Sequence, residues 1–479
     1  MPWFIWLPLS LLAAFLLVIL LRAAMFTPPR QQRVSTEAIE LDEDRLVLSL
    51  QAMVRIPTIS YAEEGRANQA QFDAFQDLLK QRYPLVFARC HFERVGKNGL
   101  LFHLPGKSSA APSVLMAHYD VVPVDAHLWT HPPFEGLIVE GELWGRGTLD
   151  TKCTLMGILE ATEALLNKGF VPKNDLYLSF GGDEECLGAD AAAIVATLRS
   201  RGIRPAFVLD EGGAIVNRIF PGVTKPAALI GIAEKGNVFA DITAKGKSGH
   251  ASAPPAKQAV GVLSRALVRL DKRPFPFMLT KPALELFDTL GRHSTFLYKI
   301  IFANLWCFAP LLNVICKSSG GELNALVRTT VAQTRLSASD AYNVLPNEAK
   351  AGLNLRLIPG DSKAKAQKRL EHIINDPAVA VSIEKGSEPS SISPTEGAAW
   401  ERLQGAIRAT YPEAIVSPYL MVAASDSRHF CAISDHVYRF SGLPLTRAQL
   451  NMIHSQDERI PIALLPDLVR FFMRVMVGC

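Results

Sequence analysis

Seven acidic and histidine side chains stand where apolar runs of the chain give way to polar loops, and their types suit metal chemistry through nitrogen and oxygen donors. His118 and Asp120 lie in LMAHYDVVPV. Two residues apart in an extended segment, they point the same way, so the carboxylate can brace an imidazole that binds a metal. Asp150 closes ELWGRGTLD, where a Gly-Arg-Gly turn permits tight backbone approach and delivers one carboxylate able to bridge two ions. Glu184 and Glu185 follow DLYLSF and Gly181-Gly182; adjacent residues diverge, so one can coordinate while its neighbour faces the water to be activated. Asp210 ends PAFVLD ahead of Glu211-Gly212-Gly213, and His454 lies far downstream in NMIHSQDERI. No CxxC pair accompanies them, so the donor set is nitrogen and oxygen only.

Taken singly, each residue has a plainer explanation: a packed or surface histidine, a helix-capping aspartate, a solvated Glu-Glu pair. Taken together they do not, because successive strand ends carry the ligand types and the intervening helices carry few, which a hard or borderline metal explains. Histidines 91, 103, 127, 131, 293, 372, 429 and 436 show no such pattern. Serine-based catalysis is disfavoured by the lack of a GxSxG elbow.

The elements that must position these residues follow from periodicity. Apolar runs at 100–104, 113–118, 175–180 and 205–210 read as strands; 36–54, 65–82, 155–167 and 189–201 read as helices. Strands alternating with helices imply an α/β fold, a mostly parallel sheet sandwiched by helices, with functional groups beyond the carboxyl ends of strands. A length of 479 residues calls for two or three folding units, and 20% charged against 49% hydrophobic residues is the balance of a packed protein. A net charge of +4 with no basic, aromatic-interleaved block excludes nucleic acid as the expected partner. Seven scattered cysteines argue against a disulfide scaffold.

The amino terminus is a separate object. Trp3 to Leu21 carries no charge, and a helix of that length nearly crosses the roughly 30 Å hydrocarbon layer. It reads as a single-pass membrane anchor. Cleavage as a signal peptide, with secretion, is the alternative, although the segment lacks a basic n-region and a small-x-small cleavage site. Arg22, Arg30 and Arg33 follow it, which by the positive-inside rule favours a cytoplasmic body.

The ordered blocks HYDVVP, GRGTLD-K, GGDEE, DEGG, SGHAS (248–252), NVLPNEA, NLRLIPG, SDSRHF and IHSQDERI resemble the signature of the M20 metallopeptidases over nearly everything after the anchor. The spacing is most similar to the branch of carboxypeptidase S and the N-fatty-acyl-amino acid synthase/hydrolases. The resemblance implies a zinc-exopeptidase-like fold with two Zn2+ per subunit: Asp150 bridging, His118 and Asp210 on one ion, Glu185 and His454 on the other, Asp120 orienting His118, and Glu184 as general base. It also implies an inserted smaller α+β lid used for dimerisation. The expected divisions are 1–32 for anchor and linker, 33–232 and 359–479 for the catalytic domain, and 233–358 for the lid. Within the lid, His250 resembles the histidine that stabilises the oxyanion, in many members across a homodimer interface. Asn343 and Arg356, with Arg428 beside them, resemble substrate-contacting positions suited to a free carboxylate.

Two features depart from the family pattern. Thr151 stands where many relatives have Asp or Met, and the lid carries an apolar insert, FLYKIIFANLWCFAPLLNVIC (296–316). The insert reads either as a helical pair packed within the lid or dimer interface, or as a wall for a long acyl chain or a face on the bilayer; Pro310 and Lys299 argue against a second spanning helix. The expected activity is a zinc amidohydrolase that cleaves, or by reversal forms, N-acyl amino acids. The alternatives are a carboxypeptidase on short peptides and a non-catalytic, metal-stabilised membrane receptor, the last disfavoured by Glu184.

Overall fold

The structure is a computed structural model and describes residues 3–29, 39–63, 65–218 and 220–479. Residues 30–38 lie outside this set, and with them Arg30, Arg33, most of the expected linker and the expected helix start at 36. The helix itself runs Glu43–Val54, begun by Asp42, whose carboxylate accepts from Arg45 N at 3.0 Å.

Four buried runs make the centre of a mixed ten-stranded sheet: Leu176–Gly181, Ser113–His118, Phe207–Asp210 and Val437–Arg439 are neighbours in that order and parallel. His91–Val95 and Gly99–Leu104 extend it antiparallel at one edge. Ala227–Glu234 joins at the other side, pairing in parallel with Ile415–Met421. Strand alternation sends Leu115, Ala117 and Leu178 into one core and Val114, Met116 and Val208 into a second, where Ile194 and Leu198 of helix Ala189–Ser200 cover them. Helix Lys152–Asn167 is buried nearly all round, its polar Glu160 and Glu163 hydrogen-bonded, and Gly157 lets Leu468 and Phe472 of helix Leu465–Val477 approach closely. Because the central strands run parallel, their carboxyl ends come out side by side.

The lid is a second unit with its own core. Thr330–Ser337, Glu348–Leu357, Gly236–Lys245 and Val379–Gly386 form an antiparallel sheet in that order, covered by helices Ala259–Lys272 and Lys363–Ile374. This corrects the expected lid boundary at 358. Val379–Gly386 is a half-exposed edge strand whose pattern, VAVSIEKG, carries little hydrophobic alternation, and only its pairing with Gly236–Lys245 assigns it to the lid.

The apolar insert is also placed differently from its first reading. Helices Lys281–His293, Phe296–Phe302 and Leu305–Ser319 do not pack within the lid sheet. Leu286, Phe287, Leu290, Phe302, Leu312 and Cys316 join the catalytic core. The amino-terminal helix, Trp3–Met25, contains a 20-residue stretch, Trp6–Met25, of mean hydropathy 2.3; it is long and apolar enough to cross a bilayer, a property shared with signal sequences.

Candidate functional site

The site is built from the sheet end outward. His118 closes its strand, 2% exposed, with Nδ1 lying 3.0 Å from the Asp120 carbonyl and 3.3 Å from Asp120 Oδ1. That arrangement assigns the proton to Nδ1 and leaves Nε2 unprotonated, its lone pair available to a metal. Nε2 faces Asp150 Oδ1 at 3.0 Å and Glu211 Oε1 at 3.3 Å. On the opposite side, His454 Nε2 lies 3.0 Å from Asp150 Oδ2 and 3.0 Å from Glu185 Oε1. The two oxygens of Asp150 therefore serve the two histidines separately. Two overlapping groups of donors result, His118–Asp150–Glu185 and His118–Glu184–Glu211, each with its ligand atoms within 4.8 Å of one another.

Asp120 does more than sit beside His118. Its fully buried carboxylate accepts from Ser60 Oγ at 2.7 Å and from the backbone N–H groups of Glu184 and Glu185 at 3.1 and 3.2 Å. It thus fixes the short turn that presents both glutamates, a turn the Gly181-Gly182 pair allows to pass close to Asp426 and Asn98.

The electrostatics describe a pocket short of positive charge. Burial raises Glu184 well above the usual carboxylate range, helped by Asp426, Glu211 and Glu185 and opposed by His118. Burial pushes Glu211 up to about 7. His118 would be lowered by its burial, but Glu211, Asp120 and Asp150 raise it overall. His454 is raised to about 10 by its contacts with Asp150 and Glu185. Among the described residues, Asp426, buried nearby, has no hydrogen-bond partner for either carboxylate oxygen. Two imidazoles facing this many carboxylates, with no thiolate, fit divalent ions of the zinc class, whose charge offsets the acidic excess. The cluster is a metal-binding site of histidine, aspartate and glutamate.

One expected ligand is corrected by geometry. Asp210 does not turn toward His118; its Oδ2 accepts from Ser427 N at 2.9 Å, and the side chain is 3% exposed. Glu211, the next residue, takes the place beside His118. The DEGG block contains both residues, and their opposite directions were the available signal.

A second residue was not anticipated. Glu458, fully buried, accepts from Arg146 Nη1 at 2.7 Å and from the backbone N–H groups of Gly147, Leu149 and Asp150 at 3.1, 2.7 and 3.2 Å. It ties the loop carrying Asp150 to the loop carrying His454. Replacing it by Gln is expected to weaken metal retention about 10- to 100-fold, the usual effect of losing an outer partner, as read by chelator competition. Thr151, buried, bonds Thr154 Oγ1 at 2.8 Å and displaces none of the donors.

The remaining candidates lie away from the cluster. His250 and Asn343 are exposed at one end of the lid, paired through strands Gly249–His250 and Val344–Leu345, with His250 Nδ1 2.7 Å from Ser252 Oγ. Among the described residues neither contacts the donors. Arg356 is half-buried at the opposite end of the lid sheet, paired with Asn237, with Nε donating to Asn354 Oδ1 at 3.2 Å. Arg428 is engaged structurally: its two terminal nitrogens donate to the carbonyls of Ser425 and Leu187 at 2.6 and 2.7 Å. A cavity of about 300 Å³ opens beside His454, lined in part by Leu128, Trp129, Arg146 and Ile453.

Comparison with known proteins agrees with this geometry. The profile of peptidase family M20/M25/M40 matches residues 114–477. The chain is 35% identical to the N-fatty-acyl-amino acid synthase/hydrolase PM20D1 of Xenopus tropicalis, over 98% of this chain and 94% of that protein. It is also 35% identical to probable carboxypeptidase S-like 2 of Dictyostelium discoideum, over 98% and 92%. Its fold superposes on the M20 family metallo-carboxypeptidase Sso-CP2 of Sulfolobus solfataricus with a TM-score of 0.67, at 17% identity, covering 91% of this chain and 99% of that one. A non-catalytic receptor does not fit these relatives. With histidine, aspartate and glutamate donors gathered beside the carboxyl ends of the central strands, the chain belongs to peptidase family M20 and is a metal-dependent hydrolase.

Proposed function

We propose that the chain hydrolyses, and by reversal forms, the amide between an acyl group and an amino acid, with N-fatty-acyl amino acids as its substrates. The amide-hydrolase part of this reading is carried by Asp150, whose two oxygens lie 3.0 Å from His118 Nε2 and 3.0 Å from His454 Nε2, so that one carboxylate faces both histidines; the acyl-amino acid part is supported by the 35% identity to the N-fatty-acyl-amino acid synthase/hydrolase. His118 and Glu211 would hold one ion, and Glu185 and His454 the other. Such a pair would supply Lewis-acid polarisation of the amide carbonyl and a water of pKa about 7.

The chain's own residues do the rest. Glu184 accepts the proton of the attacking water and returns it to the departing nitrogen. Asp120 keeps the His118 tautomer and holds the turn on which Glu184 stands. Arg356 receives the free carboxylate of the amino acid, and Arg428 holds the loop behind it. In a homodimer formed through the lid, the exposed end carrying His250 and Asn343 reaches the site of the second copy, where His250 steadies the oxyanion. Their exposure supports this arrangement. The amino-terminal helix keeps the enzyme on a membrane, a reading supported by its length and hydropathy.

The similarity to probable carboxypeptidase S-like 2 favours a second reading, cleavage of short peptides at their carboxyl end. Full-length protein in detergent, loaded with zinc, is expected to turn over N-oleoyl-phenylalanine, to stop when chelated, and to resume on adding zinc. Cleavage of a blocked dipeptide alone would establish the second reading, and turnover surviving complete removal of metal would overturn both.

A further inference from the structure

The apolar insert has no role in the chemistry, yet its contacts are specific. The chain bends by 103° between helices Phe296–Phe302 and Leu305–Ser319. Asn304 sits at that bend, fully buried, and its side-chain amide donates to the carbonyl of Ile19 in the amino-terminal helix at 3.1 Å. Arg22 of the same helix answers it, with Nε 3.0 Å from Asn304 Oδ1 and Nη2 3.0 Å from the Ala303 carbonyl. Ile19 and Ala23 are buried at this junction, Phe15 meets Trp306 edge to face at 5.9 Å, and the Arg292 guanidinium lies 4.5 Å over the Phe26 ring. The insert and the amino-terminal helix are one packed unit.

The outward face of that unit is apolar. Leu297, Trp306 and Val314 are 70%, 60% and 62% exposed, and Phe296, Leu311 and Ile315 lie open beside them. No charged residue occurs between Lys299 and Lys317. The patch adjoins the outward face of Trp6–Met25, the helix long enough to cross a bilayer, where exposed Trp306 meets exposed Phe15. Its two helices, of 7 and 15 residues and sharply bent, are too short to span one.

We infer that the insert is embedded in one leaflet of the same membrane that the amino-terminal helix enters, with Phe296, Leu297, Trp306, Leu311 and Val314 among the acyl chains. Lys299 and Lys317 reach the headgroup layer, as long basic side chains at such an interface do. The inward-turned Asn304–Arg22–Ile19 contacts satisfy the polar groups at the bend, which hydrocarbon would not. Contact with the amino-terminal helix argues for lipid over a second copy, because a partner on this face would have to share the hydrocarbon occupied by that helix.

The inference rests on the amino-terminal helix being retained as an anchor, and the test separates the two ideas. Full-length protein is reconstituted into phosphatidylcholine vesicles with brominated acyl chains, and the Trp306 contribution is obtained by difference from Trp306→Phe. Vesicle flotation in alkaline carbonate reports the anchor. Trp306 emission is expected to be quenched several-fold more by the bromolipid than by aqueous iodide, and the same is expected of a tryptophan at Leu297→Trp in the Trp306→Phe background. Protein that fails to float would overturn the anchor and this inference together. Protein that floats with both positions quenched by iodide, or by neither quencher, would overturn only the embedded insert, the second pattern pointing to a protein cover.

Discussion

Replacing Glu184 by Gln is expected to lower kcat about 10²- to 10⁴-fold, the usual contribution of a positioned general base, with bound metal unchanged. The glutamine keeps the shape of the side chain and the backbone N–H that Asp120 accepts at 3.1 Å, so the turn and the neighbouring Glu185 stay in place. What it removes is the ability to take up a proton. The surroundings of Glu184 are tuned for that ability, since burial and the nearby Asp426, Glu211 and Glu185 raise its proton affinity above that of an ordinary carboxylate. Steady-state turnover beside elemental analysis checks the result. A variant with full metal content and undiminished kcat would remove Glu184 from the proton path.

The second large effect separates two neighbours. Glu211→Ala is expected to reduce metal affinity by more than the roughly 10- to 100-fold that outer partners cost, and to abolish turnover at ordinary zinc concentrations. Asp210→Asn is expected to retain metal and most activity, because an asparagine oxygen can still accept from Ser427 N, the contact the native carboxylate makes at 2.9 Å. The contrast follows from direction: Glu211 Oε1 stands 3.3 Å from His118 Nε2, whereas Asp210 turns to the Ser427 backbone. Competition with a zinc-specific dye measures both variants. The reverse ranking would restore Asp210 as the ligand and place Glu211 behind it.

Much of this was readable from local pattern. Ser113–His118 and Leu176–Gly181 show as continuous apolar runs because strands covered on both faces need them, and His118 and the Glu184-Glu185 pair stand out because they follow those runs immediately. The blocks around Asp150 and His454 were equally visible, and they do converge on the same point despite lying about 300 residues apart in the chain. The length and polarity of the amino-terminal helix were likewise plain from composition.

Three features were decided only by the fold, for one physical reason: each depends on a surface supplied by a distant segment. Asp210 and Glu211 are adjacent acids of the same chemical kind, and the difference between them was made by Ser427, more than 200 residues downstream, whose backbone N–H claims the first and leaves the second facing His118. Glu458 looks like any glutamate in a polar loop until Gly147, Leu149 and Asp150 bring their N–H groups to it. The insert reads as lid material by position, but Asn304 and Trp306 find their partners on a helix near residue 20. Periodicity reports which face of an element is apolar, because that is a property of consecutive residues. What meets that face, and which polar group satisfies which, is determined when remote parts of the chain compete for the same hydrogen bonds and the same buried volume.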